Sequence, residues 1–234
     1  MVAIDHYNIS PEIIKVSKHH IELDQIDNDA KSIIQRLNKA GFKGYIVGGF
    51  VRDSILGLKP KDCDVVTDAT PEEVNSLLPR TRIIGRRFKI VHSRSGRKIT
   101  EISTFRSSSQ RNTKKSNKGL VLRDNNYGNI EDDAFRRDFT INSLYLDIET
   151  MEIIDFVGGF KDLQNKKLKS IGDSFERFKE DPVRILRAIR FKAKLSLDLD
   201  KKLEEDMKKL SYLLQEISSG RKYEETLKML LTGN

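Results

Sequence analysis

Gly48-Gly49-Phe50-Val51-Arg52-Asp53-Ser54-Ile55-Leu56-Gly57-Leu58-Lys59-Pro60-Lys61-Asp62-Cys63-Asp64 is the stretch whose reading decides the fold. Two glycines end an apolar run, a short amphipathic segment follows, and Gly57 closes it. Two aspartates one residue apart then lead into Val65-Val66. Residues i and i+2 of a β-strand face the same side. Asp62 and Asp64 are therefore expected to project together from one strand, with Cys63 turned the other way. Paired carboxylates repel each other unless a cation sits between them. Mg²⁺ takes one or two carboxylates together with substrate phosphates. The pattern predicts a Mg²⁺-dependent phosphoryl- or nucleotidyl-transfer site. Glycines before a helix let a ligand approach the backbone, and free N–H groups there favour phosphate. A simple turn is the commoner cause of such a pair, and only the aspartates add weight to it.

Working outward, Tyr45-Ile46-Val47 reads as a short buried strand. Before it, Asp27-Asn28 offers an N-cap, and Ala30, Ile33, Ile34 and Leu37 follow at helical spacing to about Gly41. Residues 1–24 show no clean period and read as a loosely held arm with an apolar piece at Ile13-Ile14. After the aspartates, Thr70-Pro71-Glu72-Glu73 is a helix start with a capping box and Pro at its first position. Runs 88–92 and 98–105 flank Ser93-Arg94-Ser95-Gly96 as a hairpin. Ile99 and Ile102 break strict alternation there, which predicts a bulge or burial on both faces. Residues 107–119 read as a mobile basic loop. An acidic-started helix from Ile130 runs toward a strand at Leu144-Tyr145-Leu146. Strands at 153–157 and 168–171 flank a short helical piece at 161–164. From Asp173 the pattern is helical to the end. The chain thus divides into an arm (1–24), a head (25–172) and an all-helical neck (173–234). The fold class is α+β, with a small mixed sheet flanked by helices. No internal repeat is present.

Of 234 residues, 37% are hydrophobic and 33% charged, and the net charge is +8. No apolar run approaches the ~20 residues that span a bilayer, and the N-terminus shows no secretory signal pattern. One cysteine excludes an internal disulfide and a thiolate zinc cluster, and the compartment expected is a reducing cytoplasm. Positive charge is concentrated: residues 80–118 hold thirteen Lys/Arg and one acid, Glu101. Such a block is the footprint of a polyphosphate partner, most often nucleic acid, and a solvated basic face is the plainer alternative. Arg86, Arg87, Lys89, Arg106, Lys114 and Lys115 are its candidate RNA contacts. Glu101 reads either as charge compensation or as a third carboxylate near the metals.

Several separated pieces resemble one family. The 48–53 and 61–64 segments, then Arg136-Arg137-Asp138-Phe139-Thr140-Ile141-Asn142, then Glu180-Asp181-Pro182-Val183-Arg184-Ile185-Leu186-Arg187-Ala188-Ile189-Arg190-Phe191, are similar in order and spacing to the class II tRNA nucleotidyltransferase/poly(A) polymerase family over roughly residues 40–232. Ile83–His92 and Leu122–Ile130 resemble the poly(A)-adding side of that family. The resemblance implies template-free addition of AMP from ATP to RNA 3′ ends by two-metal chemistry. CCA or terminal-A addition to tRNA is the alternative. A nucleotide- or RNA-binding module without turnover is a further one. Family members continue into helical domains that grip RNA; the sequence given ends at Asn234 and reads either as a truncation or as a short enzyme relying on the 80–118 block for RNA.

The resemblance also implies roles. Asp62 and Asp64 would hold the metals, and Asp138 would compete with Glu101 as third carboxylate. Gly48, Gly49, Arg52 and Asp53 would surround the triphosphate, while Arg137 and Asn142 would reach phosphate or sugar. Asp181 offers acceptors and Arg184 a donor fork one helical turn on, which together could bond the edge of adenine. Arg187 and Arg190 would continue toward the phosphates. Taken alone, Asp181-Pro182 reads as helix capping. Arg221 with Glu224 or Glu225 resembles an element that braces the base-reading helix, with an ordinary surface pair as the alternative.

Overall fold

The structure, a computed structural model, describes residues 10–85, 88–107, 114–115, 121–123 and 126–231. The chain opens with a strand, β1 (Glu12–Ile14), and one turn of helix, α1 (Val16–His19). α2 (Asn28–Lys39) starts where Asp27 accepts the N–H groups of Asp29 and Ala30, and it buries Ala30, Ile33, Ile34 and Leu37 as their spacing dictates. β2 (Gly44–Val47), α3 (Gly49–Ile55), β3 (Asp64–Thr67) and α4 (Pro71–Leu77) follow. At α4 the Thr70/Glu73 capping box is closed in both directions. Next come β4 (Thr81–Ile84), β5 (Ile90–Ser95) and β6 (Lys98–Thr104), then the short β7 (Lys114–Lys115) and β8 (Val121–Arg123). α5 (Ile130–Arg136), β9 (Leu144–Leu146), β10 (Ile153–Asp155), α6 (Gly159–Gln164) and β11 (Lys167–Leu168) complete the head. The remainder is α7 (Ser174–Glu180), α8 (Val183–Leu195), β12 (Asp198–Leu199), α9 (Lys201–Leu210) and α10 (Ser219–Leu231).

Eight strands form one mixed sheet in the order β1-β10-β9-β2-β3-β6-β5-β4, in which only β3 and β6 run parallel. One face packs on α2, α3, α4 and α8 through Ile34, Val51, Val65, Ile102 and Phe191. The other carries a smaller cluster of Val47, Val66, Phe105, Ala134 and Tyr145.

Three expectations change. The described part of the arm is not loose. β1 pairs with β10 along its length, and Ile14 is fully buried. His19 Nδ1 accepts the Ile21 N–H at 3.0 Å, so Nε2 carries the proton and donates to Met151 O at 2.9 Å. The β5–β6 hairpin needs no bulge: Arg94 pairs Ile99 and Val91 pairs Ile102 in regular register, and Ile99 near the tip is exposed. The neck also contains a strand. β12 pairs in parallel with β11 of the head, and Asp198 N–H to Lys166 O (2.8 Å) and Asp200 N–H to Leu168 O (3.0 Å) extend the ladder.

Candidate active site

β3 begins at Asp64, which pairs with Val47 of β2. Past Val47 the partner chain leaves through Gly48, at φ 77° and ψ −123°, into α3. Nothing remains for Asp62 to ladder with. Asp62 therefore lies in the loop ahead of the strand, exposed, and not on the strand as its spacing predicted. The pairing of Val65 with Ile102 sets Glu101 beside Asp64, on the face that carries Val66 and Phe105. Burial first, then the charges of Glu101 and Asp62, push the Asp64 carboxyl up to about 6, while Arg137 works against the rise. Cys63 does turn away, to a backbone hydrogen bond from Asp27, and burial pushes its thiol up to about 12.

This unrelieved negative charge is the chemistry a hard cation satisfies. Among the described residues no three His, Cys, Asp or Glu side chains stand close enough to form a ready-made cage. Mg²⁺ keeps several waters and needs one or two carboxylates beside substrate phosphates. The Asp62/Asp64 pair fits that requirement. Opposite Glu101 on β5, His92 holds Nε2 at 3.4 Å from Glu101 Oε1.

Asp62 and Asp64 line a cleft of about 480 Å³. The head contributes Gly49, Arg52, Asp53 and Lys61, α8 contributes Arg190, Phe191 and Lys194, and α10 contributes Glu224, Leu227, Lys228 and Leu231. A second cavity of about 530 Å³ lies on the other side of α3, against Ser54, Cys63 and Lys98, and shares Lys61 and Asp62 with the cleft.

The floor of the cleft is a chain of charge-assisted hydrogen bonds. Arg52 donates from Nε to Asp53 at 2.7 Å and from Nη1 to Asn142 at 2.6 Å. Asn142 Nδ2 donates to Asp138 at 3.0 Å, and Arg187 Nε donates to the other Asp138 oxygen at 2.7 Å. Arg190 donates to Glu225 at 2.9 Å, and Arg187 lies 3.6 Å from the same carboxylate. Burial works to raise the Asp138 carboxyl, but Arg187, Asn142 and the Phe139 N–H override it and hold it well below the ordinary range. Asp138 is thus taken up by Arg187. Of the two candidates for third carboxylate, Glu101 is the one whose charge bears on Asp64. The Phe191 ring lies under three guanidinium groups, Arg52 at 4.9 Å, Arg187 at 5.4 Å and Arg190 at 4.4 Å. Asn142 and Asp53 touch Arg52, and both are buried behind it.

Arg137 is held from behind. Asp133 accepts from Arg137 Nε and from the Tyr145 hydroxyl, each at 2.9 Å, and the Arg137 guanidinium lies 5.2 Å over the Tyr145 ring. Asp133 went unnoticed in the sequence, although its place four residues before Arg137 on a helix was the available signal.

At the start of α8 the Arg184 N–H donates to Asp181 O at 3.1 Å, and the two side chains are held by different partners. Arg221 of α10 clamps Asp181 with both nitrogens, at 2.7 and 2.9 Å. Arg184 donates to Glu180 at 3.2 Å and to Arg177 O at 2.8 Å. Arg221 therefore pairs with neither Glu224, which takes Lys228 at 2.6 Å, nor Glu225. The ordinary surface pair is therefore not formed, while Arg221 on Asp181 and Glu225 on Arg190 tie α10 to α8 by ion pairs, as a bracing element does.

Of the basic block, Arg86 and Arg87 lie outside the described residues, as do the side chains of Lys114 and Lys115. Lys89 pairs with Glu72 at 2.6 Å, and Arg106 lies 4.4 Å over Phe88. No helix among the described residues is long and apolar enough to cross a membrane.

Comparison with known proteins adds a family to this geometry. A family profile described as "Poly A polymerase head domain" matches residues 44–169, and one described as "Probable RNA and SrmB-binding site of polymerase A" matches residues 196–234. Poly(A) polymerase I of Salmonella typhimurium is 45% identical over 239 aligned positions, covering 100% of this chain and 50% of that protein. The CCA-adding enzyme of Bacillus pumilus is 38% identical, covering 85% of this chain and 48% of that protein. Among solved structures, the Bacillus stearothermophilus CCA-adding enzyme in complex with CTP superposes with a TM-score of 0.74 at 31% identity, covering 88% of this chain and 49% of that one. The chain spans about half the length of the curated relatives it matches.

Proposed function

Because the chain belongs to the family defined by the poly(A) polymerase head domain, we propose that it is a template-independent RNA 3′-end nucleotidyltransferase that adds AMP units from ATP. The observation that carries this reading is the Asp62/Asp64 carboxylate pair in the wall of a cleft that Arg52, Lys61, Arg190, Lys194 and Lys228 also line, with Glu101 beside Asp64 on the neighbouring strand.

In this reading Asp62 and Asp64 hold Mg²⁺, with Glu101 as the supporting third carboxylate. Bound there, Mg²⁺ supplies Lewis-acid neutralisation of the triphosphate and of the attacking oxygen. The protein's own part is positioning. Arg52, fixed by Asp53, Asn142 and the Phe191 ring, presents its guanidinium to the triphosphate at little entropic cost. Gly48 and Gly49 leave the backbone at the start of α3 open to approach, with nothing within 4 Å of where a Gly48 Cβ would stand. Arg137, locked by Asp133 and Tyr145, stands beside Asp64 as the phosphate or ribose contact. Asp181 keeps acceptor capacity while Arg221 holds it, so it and Arg184 serve as the base-reading groups. Arg187 and Arg190 stiffen the helix that carries them.

The acceptor is an RNA 3′ end. The basic block from Arg80 to Lys118 and the matched RNA-binding segment at 196–234 support this. The site of action is the cytoplasm, in keeping with a single cysteine.

CCA or terminal-A addition to tRNA is the second reading, favoured by the likeness to CCA-adding enzymes. The test is an extension assay with labelled oligo(A), with tRNA lacking its end, and with each nucleoside triphosphate separately. Growth of oligo(A) with ATP alone is expected. A fixed three-nucleotide product that consumes CTP overturns the poly(A) reading. RNA binding without any extension at high Mg²⁺ and ATP supports a module without turnover.

A further inference from the structure

The arginine ladder on α8 runs on one more step than its motif. Arg187, Arg190 and Lys194 lie three and then four residues apart, which places them along one face of the helix. Each meets a carboxylate. Arg187 has Asp138 and Arg190 has Glu225. Lys194 Nζ lies 3.2 Å from Asp53 Oδ2, and the other Asp53 oxygen is occupied by Arg52, at 2.7 Å from Nε and 2.6 Å from Nη2. Asp53 is buried, 4% exposed. One buried carboxylate from the head thus holds two cations, one on α3 and one on α8, and the trio carries a surplus positive charge at the cleft wall. Lys61 adds another charge to the same wall and has no ion pair among the described residues.

A buried carboxylate so placed repels phosphate and cannot itself be a ligand for it. Its physical role is to aim Arg52 and Lys194 at the space in front of it. The other neck cations of the cleft are matched: Arg190 by Glu225 and Lys228 by Glu224, at 2.6 Å. The surplus on the neck side of the cleft therefore sits at Lys194, which shares Asp53 with Arg52.

We propose that Lys194 binds the β,γ-diphosphate of the incoming nucleotide, the part that leaves as inorganic pyrophosphate, and that Asp53 positions Lys194 and Arg52 for it. This rests on the nucleotidyl-transfer reading above. In the step served, the acceptor 3′-oxygen bonds to the α-phosphorus. The bond from that phosphorus to the α,β-bridging oxygen breaks, its electron pair stays on the leaving pyrophosphate, and the hydroxyl proton passes to water. The charge that appears on the pyrophosphate is the charge Lys194 meets. A lysine suits this task as a compact point charge able to follow a departing group.

The test is equilibrium binding by calorimetry in Mg²⁺ buffer, with ATP, inorganic tripolyphosphate and AMP as separate probes, on the wild-type chain and on Lys194→Gln and Lys194→Arg. Lys194→Gln is expected to weaken ATP and tripolyphosphate about tenfold, the size of one lost charge-assisted contact, and to leave AMP within about twofold. Lys194→Arg is expected to recover most of the loss, and Lys194→Met, held to the same expectations as Lys194→Gln, is the decisive variant should the glutamine form not fold. Unchanged tripolyphosphate affinity in Lys194→Gln overturns the assignment. An equal loss for AMP also overturns it, since that outcome means a displaced helix and not a lost phosphate contact. Failure of the wild-type chain to bind either ATP or tripolyphosphate overturns the nucleotidyl-transfer reading itself, and this proposal with it.

Discussion

Arg221 grips Asp181 with both terminal nitrogens, at 2.7 and 2.9 Å, across the forty residues that separate α10 from the start of α8. The pair fixes, from a different helix, the carboxylate proposed above to read the incoming base. On that proposal, base selection depends on how still Asp181 is held. Replacing Arg221 with Met is expected to lower the preference for ATP over CTP and UTP by roughly tenfold, the effect of losing about 1.4 kcal/mol of discrimination. Single-nucleotide incorporation rates with each triphosphate check this. An unchanged preference removes Arg221 from base selection.

The Asp64 carboxyl is costly to ionise where it stands. Asp64→Asn is expected to abolish extension and at the same time to stabilise the metal-free chain, on the order of 1–3 kcal/mol at neutral pH. The sign follows from the raised value. An unfolded aspartate ionises near pH 4, whereas Asp64 in the fold waits until about 6. Stability is therefore lost as pH rises between those values and stays low above them. Urea titrations at pH 5 and 7.5, with and without Mg²⁺, separate the two effects. Added Mg²⁺ should raise the wild-type midpoint at pH 7.5 and leave that of Asp64→Asn nearly unmoved.

Asp138 behaves in the opposite way. Its folded carboxyl is depressed, with burial opposed by Arg187, Asn142 and the Phe139 N–H. The stability it contributes is fully present above the unfolded value and is lost as pH falls through the folded one. Asp138→Asn removes the nearer of the two carboxylates beside Arg187, leaving only Glu225 at 3.6 Å, and should cost about 3 kcal/mol at pH 7. The deficit should shrink as the wild type is acidified below pH 4. Unfolding midpoints measured from pH 7 down to 2.5 check the convergence. A constant gap would show that shape and not charge sets the cost.

Gly48 has a backbone conformation that only glycine adopts readily, yet a Cβ built there would meet nothing within 4 Å. Gly48→Ala is therefore a test of backbone strain without a clash. It should cost about 1–3 kcal/mol of stability. It should also raise the KM for ATP by re-aiming the first turn of α3 and with it Arg52. Thermal melting and initial-rate kinetics give the two readings.

Signals confined to a few neighbouring residues were legible in the sequence. The Asp27 cap, the Thr70/Glu73 box and the buried stripe of α2 all formed as their spacing required. The head-plus-helices architecture followed from them and from the separated motifs. What stayed hidden depended on partners distant in sequence. Asp62 alternates correctly with Asp64, but strand pairing ends at Val47, which no property of Asp62 reveals. β4 was missed because its apolar residues belong to an edge strand, and such strands alternate weakly. Lys194 carries no motif, and its importance appears only once Asp53 is seen beside it, whereas Asp133 had its place four residues before Arg137 as the one sequence signal. Asp181 met Arg221 because α10 folds back along α8, a tertiary event that helix periodicity cannot encode.

The two-residue ladder between β11 and β12 has a mechanical consequence. It stitches the root of the neck to the head with main-chain bonds, at the loop that leaves α8. Such a stitch has a fixed length, so α8 cannot swing as a gate without tearing backbone hydrogen bonds. Among the described residues α10 has no such main-chain tether, and Glu225 is its one buried side chain. The contacts of Arg221 with Asp181 and of Glu225 with Arg190 hold α10 against α8 instead, so two carboxylates, and not main-chain bonds, set how it lies along the cleft.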